Sequence, residues 1–281
     1  MDHDRPGEVP VRDASTVMLL RDGTDGLEVC LMQRNLESDF VGGAHVFPGG
    51  GIDDSDRTAA AAEVCVGLSD AEASRRLGTD SGGLAFWIAA IRESFEEAGV
   101  LLARHADGAP LTLGDTSVAR RFARHRRDVD SSRRSIAEIA SEEDVRLDVG
   151  ALHYFSRWVT PLGAHRRYDT RFFVALVPEG QDVAHDDHEL IGTDWLTPTE
   201  ALRRHGDGEI VMIFPTVRTL VALERFERST DVVDHARSLS LVQPVLPTVT
   251  ESDHGVRILL PGDPEGTGGV YDAWTARPLS F

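Results

Sequence analysis

Three glutamates, Glu93, Glu96 and Glu97, stand at positions i, i+3 and i+4 and form the clearest chemical pattern in the sequence. On a helix this spacing puts their carboxylates on one face. Like charges placed so repel one another, unless water solvates them or a hard cation such as Mg²⁺ gathers their oxygens. Taken alone, the pattern favours a solvated acidic helix face, so a metal site needs support from neighbouring residues.

The helix that must carry these glutamates is predicted over residues 83–102. Its apolar residues fall on one stripe, opposite the glutamates. These residues are Ile88, Ile91, Phe95 and Ala98. Gly99 is expected to close or bend the end of the helix. One face therefore belongs to the core and the other presents three carboxylates.

The surrounding residues resemble the two halves of a Nudix box. Residues 92–100, RESFEEAGV, are similar to the second half, REUxEExGU, with Ser94 at a usually apolar position. The first half is a glycine followed six residues later by an acid, here Gly50 and Asp56, with Asp in place of the usual Glu. Residues 57–91, thirty-five in all, replace the usual short spacer. They include a predicted helix at 69–77 with a capping box, which indicates an inserted lid or wall.

An insertion at this point resembles that of the coenzyme A diphosphatase branch of Nudix hydrolases. Further matching segments extend the resemblance over about residues 15–226. They are Gln33-Arg34, 43–50, 157–161, 167–173, Glu189, 195–198, Ala201-Leu202 and Pro215-Thr216. The resemblance implies hydrolysis of a nucleoside diphosphate derivative with Mg²⁺ (or Mn²⁺) as cofactor, and coenzyme A or acyl-coenzyme A as the preferred substrate. ADP-ribose or NADH, and a non-catalytic nucleotide-binding module, are the alternatives; the three intact glutamates argue against the last.

The resemblance also implies roles for individual residues. Glu93, Glu96 and Glu97 are expected to bind the metal, directly or through water. Arg92 is expected to hold a carboxylate or the glycine loop through its two-pronged guanidinium. The general base is either Glu93 or Glu189, and Glu189 is alternatively a solvated loop acid.

Substrate contacts are expected from two glycines and three arginines, namely Gly49, Gly50, Arg34, Arg157 and Arg171. Each arginine is as readily explained by an ion pair with a neighbour such as Asp169. A further arginine cluster is expected either to attract a nucleotide phosphate or to form ion pairs with Glu138, Glu142 and Glu143. It consists of Arg120, Arg121, Arg124, Arg126, Arg127, Arg133 and Arg134.

The order of predicted elements indicates an α/β (α+β) protein with the Nudix fold, a mixed β-sheet sandwiched between helices. Strands are predicted at 15–20 and 27–32 (a hairpin), 45–47, 152–159, 171–177 and 193–196, and helices at 117–127, 132–141, 198–205 and 216–227. Residues 1–230 form the expected Nudix domain, with helical insertions at 57–84 and 104–150. Residues 231–281 form a C-terminal extension of short strands or extended chain, with a candidate role in a homodimer.

The overall composition limits the classes of partner. The formal net charge is −18, which argues against non-specific binding of nucleic acid or of an anionic membrane. All 29 basic residues are arginines, which excludes a lysine Schiff base. The two cysteines suggest buried thiols in a reducing compartment, and the polar N-terminus does not resemble a signal peptide. A cytoplasmic protein acting on a small molecule is the expectation.

Overall fold

The computed structural model describes residues 9–37, 42–186, 188–252, 255–262 and 270–272. The strands in these ranges are β1 (Val11–Gly23), β2 (Gly26–Arg34), β3 (Ala44–Val46), β4 (Gly49–Gly51), β5 (Cys65–Val66), β6 (Ala103–His105), β7 (Val145–Asp148), β8 (His153–Val159), β9 (Arg167–Leu176), β10 (Leu190–Leu196), β11 (Val211–Met212), β12 (Pro244–Val245), β13 (Thr248–Ser252), β14 (Gly255–Leu259) and β15 (Val270–Asp272). The helices are α1 (Ala59–Glu63), α2 (Asp70–Leu77), α3 (Leu84–Ala98), α4 (Thr116–Asp130), α5 (Ile136–Glu142), α6 (Pro198–Gly206), α7 (Phe214–Leu223) and α8 (Ser229–Ser238).

The main sheet is mixed and runs in the order β11-β3-β2-β1-β9-β8-β12, with β10 paired to β2 and β4 paired to β1. Strands β1 and β2 form the predicted hairpin, closing where Gly23 faces Gly26. Strand β1 also runs parallel to β9, from Val11 opposite Arg167 to Leu20 opposite Leu176. The centre of the sheet is therefore a pair of strands that are far apart in sequence.

Helices cover both faces of this sheet, as the sequence predicted. Alternate residues of β1 point to opposite faces: Val17 and Leu19 pack in the core with α3, and Met18 and Leu20 pack in the core with α7 and α8. A strand buried on both faces must be apolar throughout, which explains the uninterrupted run Val17–Leu20. The prediction of a mixed sheet between helices is confirmed.

The two inserted segments build a separate small sheet, in the order β5-β7-β6, beside helices α1, α2, α4 and α5. Helix α2 has the predicted capping box, in which Ser69 and Glu72 exchange hydrogen bonds. Helix α5 begins later than predicted, at Ile136 after the cap Ser135. Ser132, with a φ of 53°, cannot be part of a right-handed helix.

The prediction of strands or extended chain from residue 230 onward is wrong for the first part of that segment. Helix α8 lies there, with Val232 and Val233 buried in the core on one face of the main sheet. Strand β12 then joins the main sheet beside β8, and β13, β14 and β15 form a three-stranded sheet. The domain limits at 1–230 and 231–281 stay a prediction. Within the described residues, no helix has the length and apolar character that a membrane crossing needs.

A buried glutamine fixes the chain that leaves α3. Gln181 is 6% exposed, and its Oε1 accepts a hydrogen bond from the Leu101 amide at 2.9 Å. Its Nε2 donates to the carbonyl oxygens of Leu101, at 2.9 Å, and Leu111, at 2.8 Å. One side chain thus satisfies three backbone groups, two of them on Leu101, just after the end of α3.

We expect Gln181→Ala to lower the free energy of unfolding by about 3 kcal/mol, because three buried backbone groups lose their partners. Urea denaturation followed by circular dichroism measures the change. Gln243→Ala is the matched control, because Gln243 is exposed, and we expect it to change stability by no more than about 0.5 kcal/mol. Equal stability of the two variants would contradict this role of Gln181.

Candidate active site

A buried arginine joins three parts of the chain at the centre of the site. Arg92 on α3 is 5% exposed. Its Nε lies 3.1 and 3.2 Å from the two carboxylate oxygens of Asp56, and its Nη2 donates to Asp56 Oδ2 at 3.0 Å. The same Nη2 donates to the carbonyl oxygen of Gly51 at 2.7 Å. Arg92 therefore holds both a carboxylate and the glycine strand, the two partners that the sequence offered as alternatives.

The remaining nitrogen of Arg92 faces the glutamates. Nη1 donates to Glu93 Oε1 at 2.8 Å and to Glu96 Oε2 at 3.0 Å. Four carboxylates therefore lie in this region. Asp56, Glu93 and Glu96 are bound by Arg92, and Glu97 follows on the same helix. One guanidinium cannot neutralise four ionised carboxylates, so the group would hold an excess of negative charge if all four were ionised.

The glycine strand β4 lies directly against the glutamates. It is paired with β1, with Gly50 opposite Ser15. The Gly49 amide donates to Glu97 Oε2 at 2.7 Å. A Cβ atom on Gly50 would lie 2.5 Å from Glu93 Oε1, which is a steric overlap. A side chain at position 50 would therefore displace the Glu93 carboxylate from its position beside Arg92.

The glutamate face of α3 is buried, so the solvated acidic face considered from the sequence is wrong. Glu93 and Glu97 are only 8% and 5% exposed. Burial raises the pKa of Glu93 to about 7 and that of Glu96 to about 8. Burial, and then the charges of Glu93 and Glu189, raise the pKa of Glu97 well above its usual range. Carboxylates so strongly destabilised in their charged form are suited to a cation.

The donor atoms fit a hard divalent metal that keeps part of its water shell. Carboxylate oxygens are the ligands that Mg²⁺ prefers, and Mg²⁺ usually retains several waters. Among the described residues, three metal-binding side-chain atoms lie within 4.8 Å of one another at His125, Glu142 and Glu143. That group is already an ion-pair cluster, because Arg121 Nε donates to both Glu143 oxygens at 2.7 and 2.9 Å.

The glutamates open onto a cleft of about 660 Å³. Most of the predicted site residues line it, namely Arg34, Gly49, Gly50, Glu93, Glu96, Glu97 and Glu189. The opposite part of the wall is largely aromatic and apolar, with Phe47, Trp158, Phe172 and Phe214 among its residues. Another cavity, of about 670 Å³ at the β1–β2 turn, contains none of the predicted site residues.

The late glutamate lies in this cleft and is held by one of the predicted arginines. Arg34 Nη2 donates to Glu189 Oε1 at 2.6 Å. The Glu189 side chain is 52% exposed, and its charge raises the pKa values of Glu93 and Glu97. Glu189 is thus close enough to act with the helix glutamates, from a loop that faces the open cleft.

Two predicted substrate contacts are located elsewhere. Arg157 and Arg171 are not among the residues that line the cleft. Arg157 forms two hydrogen bonds with Asp169, at 2.8 and 2.6 Å. Arg171 is 3% exposed at its side chain, pairs with Asp13 and Asp169, and lies over the ring of Phe86. These ion pairs, which join β1, β8 and β9, are the alternative that the sequence also offered for the two arginines; their contact with substrate stays a prediction.

Two residues of the site region were missed by the sequence analysis, and a third was named only as a member of the arginine cluster. Arg166 and Asp130 line the cleft, and Arg126 contacts the end of α3. Arg166 directly precedes β9, which begins at the buried Arg167, so strand alternation does not indicate where its side chain points. No sequence signal places α4 beside α3, because that contact is tertiary.

Comparison with known proteins gives one consistent family. The family described as the NUDT19 Nudix domain matches residues 72–223. The acyl-coenzyme A diphosphatase NUDT19 of Homo sapiens is 32% identical over 270 residues, which cover 85% of this chain and 72% of that protein. The protein of the same name from Gallus gallus is 30% identical over 272 residues, covering 84% of this chain and 72% of that protein.

One solved structure is similar in fold over most of the chain. The crystal structure of a NUDIX hydrolase from Alicyclobacillus acidocaldarius has a TM-score of 0.64 and 26% sequence identity. The match covers 84% of this chain and 99% of that one. The arrangement of a mixed sheet between helices is therefore shared with a Nudix hydrolase.

We expect Asp56→Asn to lower the free energy of unfolding by about 3 kcal/mol, because it removes one partner of a buried ion pair. Chemical denaturation measures the change. Asp54→Asn is the matched control in the same turn, since Asp54 is exposed. If both variants were as stable as the wild type, the Arg92–Asp56 pair would not hold the site together.

Proposed function

We propose that this chain, which belongs to the NUDT19 Nudix domain family, cleaves the diphosphate of coenzyme A or of an acyl-coenzyme A. The family match and the relatives identify a Nudix diphosphatase, so the alternative of a non-catalytic binding module is set aside. The substrate proposal is supported by relatives named acyl-coenzyme A diphosphatase that match more than four fifths of the chain.

The observation that carries the proposal is the buried carboxylate group at the wall of the cleft. A diphosphate hydrolase must bring water to phosphorus past several negative charges. A divalent metal, which Nudix hydrolases need, neutralises those charges and lowers the pKa of the attacking water. We propose Mg²⁺ or Mn²⁺, held by Glu93, Glu96 and Glu97 directly or through water.

The other proposed roles belong to the chain itself. Arg92 fixes Glu93 and Glu96 against the glycine strand through the hydrogen bonds described above. Glu93 or Glu189 takes the proton of the attacking water. Arg34 orients Glu189 and, with Arg166, supplies positive charge at the cleft. Gly49 and Gly50 let the phosphates approach the backbone, since neither residue has a side chain.

The shape and chemistry of the cleft agree with the proposed substrate class. Coenzyme A has a charged diphosphate between an adenosine part and a largely uncharged pantetheine arm. The cleft combines an acidic wall that suits metal and diphosphate with the apolar surfaces of Trp158, Phe172 and Phe214. Such surfaces suit adenine, pantetheine or an acyl chain. The homodimer and the cytoplasmic location stay predictions.

We expect Glu97→Gln to abolish metal-dependent cleavage while the fold is kept, because the amide oxygen of Gln can still accept the hydrogen bond from the Gly49 amide. Loss of a residue that hydrogen-bonds to a metal ligand lowers activity by about 10–100-fold. We therefore expect loss of the ligand itself to lower kcat/KM by at least about 100-fold. Product chromatography with Mg²⁺ measures the rate. Glu63→Gln, at an exposed position on α1, should retain full activity; equal activity of the two variants would remove Glu97 from the metal site.

The substrate proposal is tested with a panel of coenzyme A, an acyl-coenzyme A, ADP-ribose and NADH, each with Mg²⁺ and with Mn²⁺. We expect 3′,5′-ADP and a 4′-phosphopantetheine product from the first two, at a kcat/KM above that for the others. The Glu97→Gln protein serves as the blank. A clear preference for ADP-ribose or NADH would overturn the coenzyme A proposal and leave the Nudix assignment intact.

A further inference from the structure

An arginine of the inserted segments binds the backbone of the glutamate helix. Arg126 lies on α4, within residues 104–150. Its Nε donates to the carbonyl oxygen of Glu96 at 2.7 Å, and its Nη2 donates to the carbonyl oxygen of Glu97 at 2.8 Å. One planar guanidinium thus spans the main-chain carbonyls of two consecutive glutamates whose side chains reach the cleft.

These carbonyls are at the end of α3, where the helix itself cannot supply donors. The neighbouring carbonyl oxygens find backbone partners: Ser94 accepts from Val100 at 3.2 Å, Phe95 from Gly99 at 3.1 Å and Ala98 from Ala184 at 3.0 Å. For Glu96 and Glu97 the guanidinium of Arg126 fills this role. Its positive charge also stabilises the negative end of the helix dipole.

The approach of Arg126 depends on the residue that ends the helix. Gly99 has a φ of 70°, and a Cβ atom there would lie 3.0 Å from Arg126 Nη1. Glycine at this position therefore serves both the left-handed turn and the contact with α4. Helix α4 is itself anchored by Phe122, whose ring packs edge-on against Phe95 of α3 with a centroid distance of 6.4 Å.

We propose that Arg126 is a positioning residue for the metal site, through which the inserted segments set its affinity for the metal. Glu97 is held at both ends, by Gly49 at its carboxylate and by Arg126 at its carbonyl. Without Arg126 the last turn of α3 loses two hydrogen bonds and frays, and the carboxylates of Glu96 and Glu97 lose their fixed direction. This inference rests on the proposed function, in which these residues bind Mg²⁺ or Mn²⁺.

The test compares Arg126→Ala, Arg126→Lys and the control Arg124→Ala, at an exposed position of the same helix. Mn²⁺ binding is measured by electron paramagnetic resonance, and Glu97→Gln identifies the part of the binding that belongs to this site. Because outer-shell changes cost about 10–100-fold in metal affinity, we expect the Kd for Mn²⁺ to rise at least tenfold in Arg126→Ala and to stay unchanged in Arg124→Ala. At saturating metal, the KM for the acyl-coenzyme A should not change.

Arg126→Lys separates positioning from charge, because lysine keeps the charge at the helix end but lacks the fork that spans two carbonyls. We expect an intermediate Kd for Mn²⁺, and this variant decides the question if Arg126→Ala does not fold. A lowered Tm in EDTA with an unchanged Kd would show a purely structural role and overturn the inference.

Failure of this inference is distinguishable from failure of the proposed function. A wild-type protein that binds Mn²⁺ and loses affinity on Arg126→Ala, yet cleaves no coenzyme A, would overturn the substrate alone. A wild type that cleaves coenzyme A, with Mn²⁺ binding indifferent to residue 126, would overturn the inference alone. A wild type that binds no Mn²⁺ would overturn both.

Discussion

The architecture of the site depends on the burial of one positive charge. The Arg92 guanidinium is out of water, and a buried charge is tolerated only when it is paired and hydrogen-bonded. Its partners come from the turn that holds Asp56, from the glycine strand and from its own helix. Satisfying this one group therefore fixes the distances among three segments, and the carboxylates that face the cleft are placed as a result.

The same burial suits the site to the metal ion proposed for it. In a protein with a formal charge of −18, surface acids are common and attract cations weakly because water screens them. The carboxylates of α3 differ because α4 and the glycine strand exclude water from them, which raises their pKa values. The site therefore differs from the rest of an acidic surface because water is excluded from its carboxylates and their positions are fixed, more than because of its number of charges.

Local patterns predicted those features that local interactions determine. The β1–β2 hairpin, the capping box of α2 and the course of α3 follow from turn residues, caps and periodicity. The burial of the glutamate face could not be predicted, because it results from contacts with elements remote in sequence. Ser94, unusual for its position, is explained by its hydroxyl, which donates to the Val100 carbonyl at 3.0 Å. The ion pairs of Arg157 and Arg171 could not be predicted either, because they depend on which strands pair. Helix α8 was missed because its apolar face becomes clear only when it packs against the main sheet.

The insertion between the two halves of the box has a consequence for how the protein reaches its active form. Asp56 and Arg92 are 36 residues apart, and each doubling of a disordered loop raises the entropic cost of closing it by about 0.6 kcal/mol. The intervening chain is ordered by α1, α2 and the β5–β7 pairing, so the packing of these elements must offset that cost and the further cost of ordering the chain. Formation of the Arg92–Asp56 ion pair is thus thermodynamically linked to the folding of a region that holds neither half of the motif. Sequence changes far from the cleft, in α1 or α2, can alter the fraction of competent molecules while every catalytic residue is retained.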